Sequence, residues 1–449
     1  MNRIVAFALG FMVSCAPVPQ DPPSRAVALT SALPPMRVFN TSYVAPATRS
    51  NLEISQDFLD LSFRMESGRA VPQLTRFEGP ITVRATGQTN PTMIRDLKEL
   101  LIRMRSEAGI DITLVSTNQP AAITIQAVPR ATMQAAVPRA ACFVVPRLTS
   151  WDEFKIARRT PQVDWTTLTR RDRAAIFVPS DVAPQEIRDC LHEELAQALG
   201  PLNDLYRLPD SVFNDDNIHT VLTSFDMLVL KTFYAPELQN GMTRGEAAIR
   251  LPAILARLNP AGQRAPGQPL NDTSRDWIEA IGIALASGAT PSRRRQAAQK
   301  AIALGRAFGW TGPREGFAQY AFGRLQVGHN PNAALAAFNA ADAAYSTSNA
   351  TQIHAAHIAV QQSAFALAAG DADTTIRLAD STMGVAERHQ NAALLSTLMM
   401  FKAAALEMRG DTAQAESLRL DSLGWARYGF GSDANVQARL DEIAALRPF

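Results

Sequence analysis

The sequence predicts an α+β domain of mixed sheet and helices over residues 46–260, followed by an all-α array of helical hairpins over residues 271–449. Three observations support this division. Strand-like segments alternate with amphipathic helices up to about residue 260. Beyond residue 271 the chain becomes rich in alanine, and its apolar residues recur at helical spacing. In that second part glycines also recur at a nearly constant interval, which is typical of repeated helical hairpins.

The N-terminus has the layout of a bacterial secretory signal. Arg3 is followed by an apolar run over residues 4–13, which is too short to span a membrane. Cys15 follows this run and resembles the cysteine of a lipobox, where the signal peptide is cut and lipid is attached. We therefore expect a signal peptide over residues 1–14 and, over residues 15–45, a lipidated Cys15 with a tether rich in proline. An ordinary signal peptide with an incidental cysteine is the alternative.

This interpretation places the protein in the periplasm, attached to a membrane through its lipid. Ala16 stands where an aspartate would follow the cysteine, and by analogy with enteric lipoproteins this favours the outer membrane. Basic and acidic residues are balanced, at 44 and 42, so nothing in the composition indicates a nucleic-acid partner.

The cysteine count supports export from the cytoplasm. The chain has three cysteines, and a lipidated Cys15 leaves Cys142 and Cys190 as an even pair. In an oxidising compartment such a pair predicts a disulfide. Two buried thiols, or a reactive or metal-binding Cys190, are the alternatives.

In the first domain, the predicted strands and helices run from a strand at residue 74 to a helix that ends at residue 199. Residues 74–85 contain apolar positions that predict the first strand, and residues 92–107 carry apolar side chains at helical spacing. Four further strands are predicted, over residues 110–115, 121–128, 142–145 and 174–178. The last strand leads into a helix over residues 184–199.

The second domain contains an internal repeat. Four glycines, 40, 42 and 40 residues apart, each end an apolar helical stretch: Gly288, Gly328, Gly370 and Gly410. A glycine at a helix end permits the left-handed turn from which an antiparallel helix starts. The pattern resembles tetratricopeptide repeats, although its period is longer. That resemblance implies a surface for protein or peptide partners, and a non-repetitive helical bundle is the alternative.

The helix over residues 184–199 carries the main functional signal. Glu193, Gln197 and Gly200 share one face at positions i, i+4 and i+7, with Glu194 at its edge. A zinc-peptidase helix requires this arrangement, because two ligands one turn apart must point at one ion while a glutamate activates water. A register that starts at His192 leaves only one histidine ligand. Three histidines are instead expected at the surface or at helix caps: His192, His219 and His329.

Shifting the register by one residue produces a resemblance to metzincins, whose pattern is His-Glu-x-x-His-x-x-Gly-x-x-His-Asp. The resemblance implies a zincin-type fold in which Glu194 stands at the general-base position and Gly200 ends the helix. The ligand positions and the trailing aspartate become Glu193, Gln197, Asn203 and Asp204. The structural positions that follow, beginning with the residue in place of the Met-turn methionine, are Phe213, Asp226 and Tyr234.

The same residues resemble an uncharacterised bacterial domain-of-unknown-function family more closely still. Its pattern is Glu-Glu-x-x-Gln-x-x-Gly-x-x-Asn-Asp, followed by Phe-Asn-Asp, Leu-Thr-x-x-Asp and Tyr-x-Pro-x-Leu. The chain matches it at residues 193–204, 213–215, 222–226 and 234–238. This resemblance implies a metzincin-like fold and leaves the activity open.

A metal ion at this site would be held by oxygen atoms. The candidate ligands are Glu193, Gln197, Asn203 and Asp204. Neutral amide oxygens are poor zinc ligands but suit a harder divalent cation. A metal-free network of hydrogen bonds among the same side chains is the alternative, and no organic cofactor is expected.

Three functions are compatible with these patterns. The favoured one is a cell-envelope lipoprotein whose degenerate, non-catalytic metzincin-like domain and helical repeats bind protein or peptide partners. An atypical metallohydrolase would instead use Glu194 as general base on envelope proteins or peptidoglycan peptides. A structural envelope scaffold is the third.

Overall fold

A computed structural model describes residues 33–39, 47, 49–138, 140–267 and 272–448. The predicted signal peptide, Cys15 and most of the predicted tether lie outside the described residues. Among the helices that are described, none combines the length and the apolar character needed to cross a bilayer.

The first region, residues 49–267, contains a five-stranded mixed sheet. Its strands are β1 (Ile81–Gly87), β2 (Ile112–Leu114), β3 (Ile123–Val128), β4 (Phe143–Pro146) and β5 (Ala174–Pro179). They lie in the order β2-β1-β3-β5-β4, in which β4 is antiparallel to β5 and the other neighbours are parallel. Every residue of β5 is buried, as expected for a strand covered on both faces of its sheet.

Helices cover this sheet and extend beyond it. They are α1 (Asn51–Ser62), α2 (Pro91–Ala108), α3 (Arg130–Ala136), α4 (Trp151–Ala157), α5 (Pro184–Leu199), α6 (Ser224–Phe233) and α7 (Arg244–Leu258). Short 3-10 turns occur at Pro161–Val163, Trp165–Thr167, Pro260–Gly262 and, in the second region, Asn349–Thr351. Helix α5 packs on β4 and β5, at one side of the sheet, and against α2.

The predicted elements of the first region are largely confirmed. The predicted helices correspond to α2 and α5, and the four later strands correspond to β2, β3, β4 and β5. The prediction of a strand over residues 74–85 is wrong in its first half, because β1 starts at Ile81. The backbone of Leu74 bonds instead with Gly241 and Met242, which holds residues 74–80 away from the sheet.

The second region, residues 272–448, consists of four helical hairpins and a final helix. The helices are α8 (Arg275–Leu285), α9 (Pro291–Ala307), α10 (Pro313–Gln326), α11 (Pro331–Tyr345), α12 (Gln352–Ala368), α13 (Ala372–Arg388), α14 (Ala392–Met408), α15 (Thr412–Phe430) and α16 (Asp433–Ala444). The predicted glycines follow α8, α10, α12 and α14, which are the first helices of the four hairpins. Gly370 and Gly410 have φ of 77° and 86°, so both adopt the left-handed turn that the repeat requires.

The loop between α5 and α6 joins the two regions. Tyr206 packs against Trp277 and Phe317 of the second region, with ring centroids 5.0 and 5.8 Å away. Ile218 is 5% exposed and belongs to the apolar core built mainly by α12 to α16. A loop that supplies core residues to a neighbouring region cannot move independently of it. The candidate site is therefore held in place by both regions.

The predicted disulfide is confirmed. Cys142 precedes β4 and Cys190 lies in α5, and the two are bonded with their Cα atoms 5.8 Å apart. The bond ties the edge of the sheet to the helix that carries the predicted motif.

Residues 33–39, which fall inside the range predicted as a tether, lie against α15. The Arg37 amide donates to the Gly424 carbonyl, and Phe39 stacks on Trp425 with ring centroids 4.5 Å apart. A Cβ at Gly424 would lie 2.9 Å from the Arg37 side chain, so the close approach requires glycine there.

Four of the six histidines meet where the two regions touch: His219, His354, His357 and His389. The His219 ring lies 5.8 Å from that of His354 and 5.5 Å from that of His389. His354 Nε2 is 3.0 Å from an Asp216 oxygen. Burial first, and then His354, lower the pKa of His357 to about 4. Burial in the cluster therefore favours the neutral form of His357.

Acid is expected to weaken this contact. Folded His357 resists protonation until about pH 4, whereas the unfolded chain takes up the proton below about pH 6.5. The stability contributed by neutral His357 is thus present above pH 6.5 and is lost as the pH falls towards 4. Between pH 7.5 and pH 5, we expect the free energy of unfolding of His357→Gln to fall by about 1 kcal/mol less than that of the wild type. Urea denaturation at the two pH values measures this difference. His329→Gln, at an exposed position, is the control, and identical losses in all three proteins would contradict the prediction.

Candidate functional site

Helix α5 is buried on nearly all sides. The apolar side chains of α5 face the core. The predicted polar face is also covered, because Glu194 is 4% exposed and Gln197 is 7% exposed. His192, expected at the surface, is 4% exposed, so that prediction is wrong. His192 Nδ1 accepts a hydrogen bond from the Leu222 amide at 3.0 Å, because the segment before α6 crosses over α5. Of the other two histidines, His329 is exposed as expected, whereas His219 belongs to the cluster between the regions.

The C-terminal end of α5 is capped by an arginine that the sequence did not single out. The Arg171 guanidinium donates to the carbonyls of Gln197, Ala198 and Gly200 at 2.6, 2.7 and 2.6 Å. Arg171 is 4% exposed, and burial lowers its pKa to about 10, so it remains charged at neutral pH. The cation stabilises the negative end of the helix dipole. Tyr234 adds a fourth bond, from its hydroxyl to the Leu199 carbonyl at 3.1 Å.

Gly200 and Phe213 have structural roles in the turn that follows α5. A Cβ at Gly200 would lie 2.8 Å from the ring of Phe233, so only glycine allows α6 to pack this closely. Phe213 is fully buried, and its carbonyl accepts a bond from the Leu205 amide at 2.8 Å. The position predicted to replace the Met-turn methionine is therefore a core position.

The Asp226 carboxylate holds the turn at residues 211–213 in place. Its carboxylate accepts bonds from Ser211 Oγ at 2.5 Å and from the Val212 and Thr223 amides at 3.2 and 2.8 Å. Burial raises its pKa to about 6, and the three donors oppose that rise. Asp226 thus caps α6 and orders residues 211–213 with the same side chain.

The side chain of the candidate ligand Asn203 is oriented by a hydrogen bond that its Nδ2 donates within the protein. Its Nδ2 donates to the Asp60 carbonyl at 3.0 Å, and the Asp60 side chain pairs with Arg207 at 2.7 Å. Arg207 is 3% exposed and also pairs with Asp57 at 2.9 Å. Helix α1 therefore orients Asn203, and no sequence pattern near α5 indicates that contact.

Carboxyl groups from three segments come together beside α5: Glu66, Glu193, Glu194, Asp204 and Asp215. Burial, followed by repulsion from Glu66, raises the pKa of Glu193 to about 7. Burial and then repulsion from Glu193 raise the pKa of both Glu194 and Asp204 well above the usual range. Burial therefore disfavours the charged form of Glu194, which is the form that a general base needs.

The donor set does not suit a catalytic zinc ion. Of the three predicted ligand positions, only Glu193 offers a group that can be charged, and Gln197 and Asn203 offer neutral amide oxygens, which are poor zinc ligands. Throughout the described residues, no three His, Cys, Asp or Glu side chains are arranged to hold one metal ion. The structure brings Glu193, Glu194 and Asp204 together with Glu66 and Asp215, which the sequence analysis had not selected.

Residues 51–253 match the model of a family described as "Protein of unknown function (DUF2927)". The DUF2927 match lies within the first region, contains α5 and the whole carboxyl cluster, and excludes the helical hairpins. It agrees with the predicted resemblance to a domain-of-unknown-function family. No curated protein matches the sequence.

Removing the charge of Glu193 is expected to stabilise the protein at alkaline pH. Its pKa is raised, so the stability it contributes is complete below about pH 4.5 and is lost as the pH rises through 7. At pH 8, the free energy of unfolding of Glu193→Gln should be about 3 kcal/mol higher than that of the wild type, and at pH 5 this difference should shrink to about 1 kcal/mol. Urea denaturation at both pH values measures this. Exposed Glu416→Gln is the control, and a Glu193→Gln variant that is less stable at pH 8 would refute the prediction.

Proposed function

We propose that this chain is a bacterial cell-envelope lipoprotein whose metzincin-like domain is non-catalytic and acts, together with tetratricopeptide-like hairpins, as a binding module for protein or peptide partners. The observation that carries the proposal is the set of side chains at the predicted ligand positions. They are Glu193, Gln197 and Asn203, so none of them offers the imidazole that a catalytic zinc ion requires. Glu194, at the general-base position, is 4% exposed, and burial raises its pKa well above the usual range, which disfavours the charged form that a base needs.

The metzincin-like assignment is supported by the order of elements. A helix with the predicted motif follows β5, ends at Gly200, and leads through the buried Phe213 turn into the Asp226 helix. Those positions occur in the order that the resemblance requires.

The binding role is supported by the way the two regions combine. The DUF2927 region contributes Tyr206 and Ile218 to the packing of the hairpins, so the hairpins and the site form one connected surface. Hairpin arrays commonly present extended surfaces to protein partners.

The absence of catalysis is testable by cleavage. Full-length protein would be incubated, with and without added zinc, with a mixture of peptides and with peptidoglycan peptides, and the products analysed by mass spectrometry. We expect no cleavage above the buffer control and identical results for Glu194→Gln. Cleavage by the wild type that disappears in Glu194→Gln would establish the metallohydrolase alternative instead.

The membrane anchor is testable by labelling. Cells that express the full chain would be grown with radioactive palmitate, and the membrane fraction compared for the wild type and Cys15→Ala. We expect label on the wild type only, with Cys15→Ala released from the membrane. A wild type that stays unlabelled would refute lipidation.

A further inference from the structure

A cavity of about 190 Å³ lies beside the C-terminal end of α5, and both regions form its wall. The first region contributes Glu66, Asp204, Tyr206 and Asp215, and the second contributes Arg275 and Ile278. Ligand pockets for whole small molecules are usually larger, so a cavity of this size suits a single side chain or functional group.

The arginines at this cavity are already engaged. Arg207 pairs with Asp57 and Asp60, and Arg64 lies 3.8 Å from Asp272. Arg275 donates to the backbone carbonyl of Glu66 at 3.5 Å. Among the described residues, three carboxyl groups that line the cavity form no ion pair: Glu66, Asp204 and Asp215. The cavity therefore carries an excess of acidic groups over available cations.

One of these carboxyl groups also lacks a hydrogen bond that its burial should require. Asp204 Oδ1 is buried and has no partner in the described chain. Buried oxygens without donors are costly and rare in folded proteins, and Asp204 Oδ1 is a ready acceptor for a ligand N–H at the cavity wall.

The spacing of the acids favours an extended cation over a metal ion. No three of the acidic side chains in the described residues are arranged around one point as metal ligands. A planar guanidinium or a primary ammonium carries several N–H donors and can bond to carboxylates that lie apart. Met65 and Ile278 supply apolar wall for the methylene stem of such a group.

We propose that this cavity binds an alkylammonium or guanidinium group. On the proposed function given above, the natural source is a lysine or arginine side chain of a peptide partner. Asp204 and Asp215 would accept bonds from the cation at the cavity wall.

Calorimetric titration of the full chain tests this inference. The probes are ethylguanidine, butylamine, a blocked Ala-Arg-Ala peptide and the same peptide with citrulline in place of arginine. We expect both free cations and the arginine peptide to bind, and the citrulline peptide to bind at least about tenfold more weakly. Equal affinity for ethylguanidine and the arginine peptide would assign recognition to the cationic group alone, whereas tighter binding of the peptide would assign it to a peptide source.

Two charge-removing variants and one matched control complete the experiment. Asp204→Asn and Asp215→Asn should each weaken ethylguanidine binding at least about tenfold, with circular dichroism confirming that both remain folded. Asp276→Asn, on the exposed surface of α8, should bind as the wild type does.

Two results would overturn the inference. One is no heat of binding with any cationic probe. The other is stoichiometric binding of calcium or zinc that the same two variants abolish, since the cavity would then be a metal site. Failure of the proposed function is distinguishable, because it would appear as Glu194-dependent cleavage of the peptides while ethylguanidine still bound.

Discussion

Replacing Arg171 with methionine is expected to lower the free energy of unfolding by about 4 kcal/mol. Methionine fills much of the same volume but leaves the carbonyls of Gln197, Ala198 and Gly200 without their buried donor. Each unpaired buried acceptor costs about 1 to 3 kcal/mol. Urea denaturation followed by tryptophan fluorescence measures the loss, and Trp165, 4.8 Å from the guanidinium, reports locally.

Arg173→Met is the matched control, because Arg173 is exposed two residues away. Its substitution should change the free energy of unfolding by less than about 0.5 kcal/mol. If Arg171→Met is no more harmful than this control, the cap is not what holds the end of α5.

Removal of the disulfide is the second large effect. The double substitution Cys142→Ser with Cys190→Ser should lower the free energy of unfolding by about 4 kcal/mol, because the bond closes a loop with a sequence separation of 48 residues. The same loss should appear when the oxidised wild type is compared with the wild type in excess dithiothreitol.

The reduced wild type and the double variant should then unfold at the same urea concentration. An oxidised wild type that is no more stable than the double variant would show that the bond does not restrain the unfolded chain. A reduced wild type that matches the oxidised one would show the same.

Elements whose signals are local were predictable from the sequence. The bounds of α2 and α5 follow from apolar spacing, and the hairpin turns follow from glycines such as Gly370 that need a left-handed backbone. The disulfide was predicted by counting cysteines on the expectation that the chain is exported, and the bond is present. Residues 74–80 were mistaken for strand, because their partner at residues 240–242 lies far along the sequence.

The site could be predicted only in part. The motif identified Glu193, Glu194 and Asp204, and the structure brings these three together. Their environment comes from distant segments: Glu66 lies after α1, Arg171 lies before β5, and Arg275 belongs to the second region. Helical periodicity could not show that the polar face of α5 would be buried, because periodicity describes one helix and burial depends on what packs against it.

The zinc content of the purified full chain tests the central claim most directly. Protein expressed in medium supplemented with zinc would be desalted and analysed by inductively coupled plasma mass spectrometry, alongside Glu193→Ala. A non-catalytic site, with no histidine at the ligand positions and with Glu194 buried, predicts far less than one zinc per chain in both proteins. One zinc per wild-type chain that is lost in Glu193→Ala would contradict the account and restore the metallohydrolase interpretation.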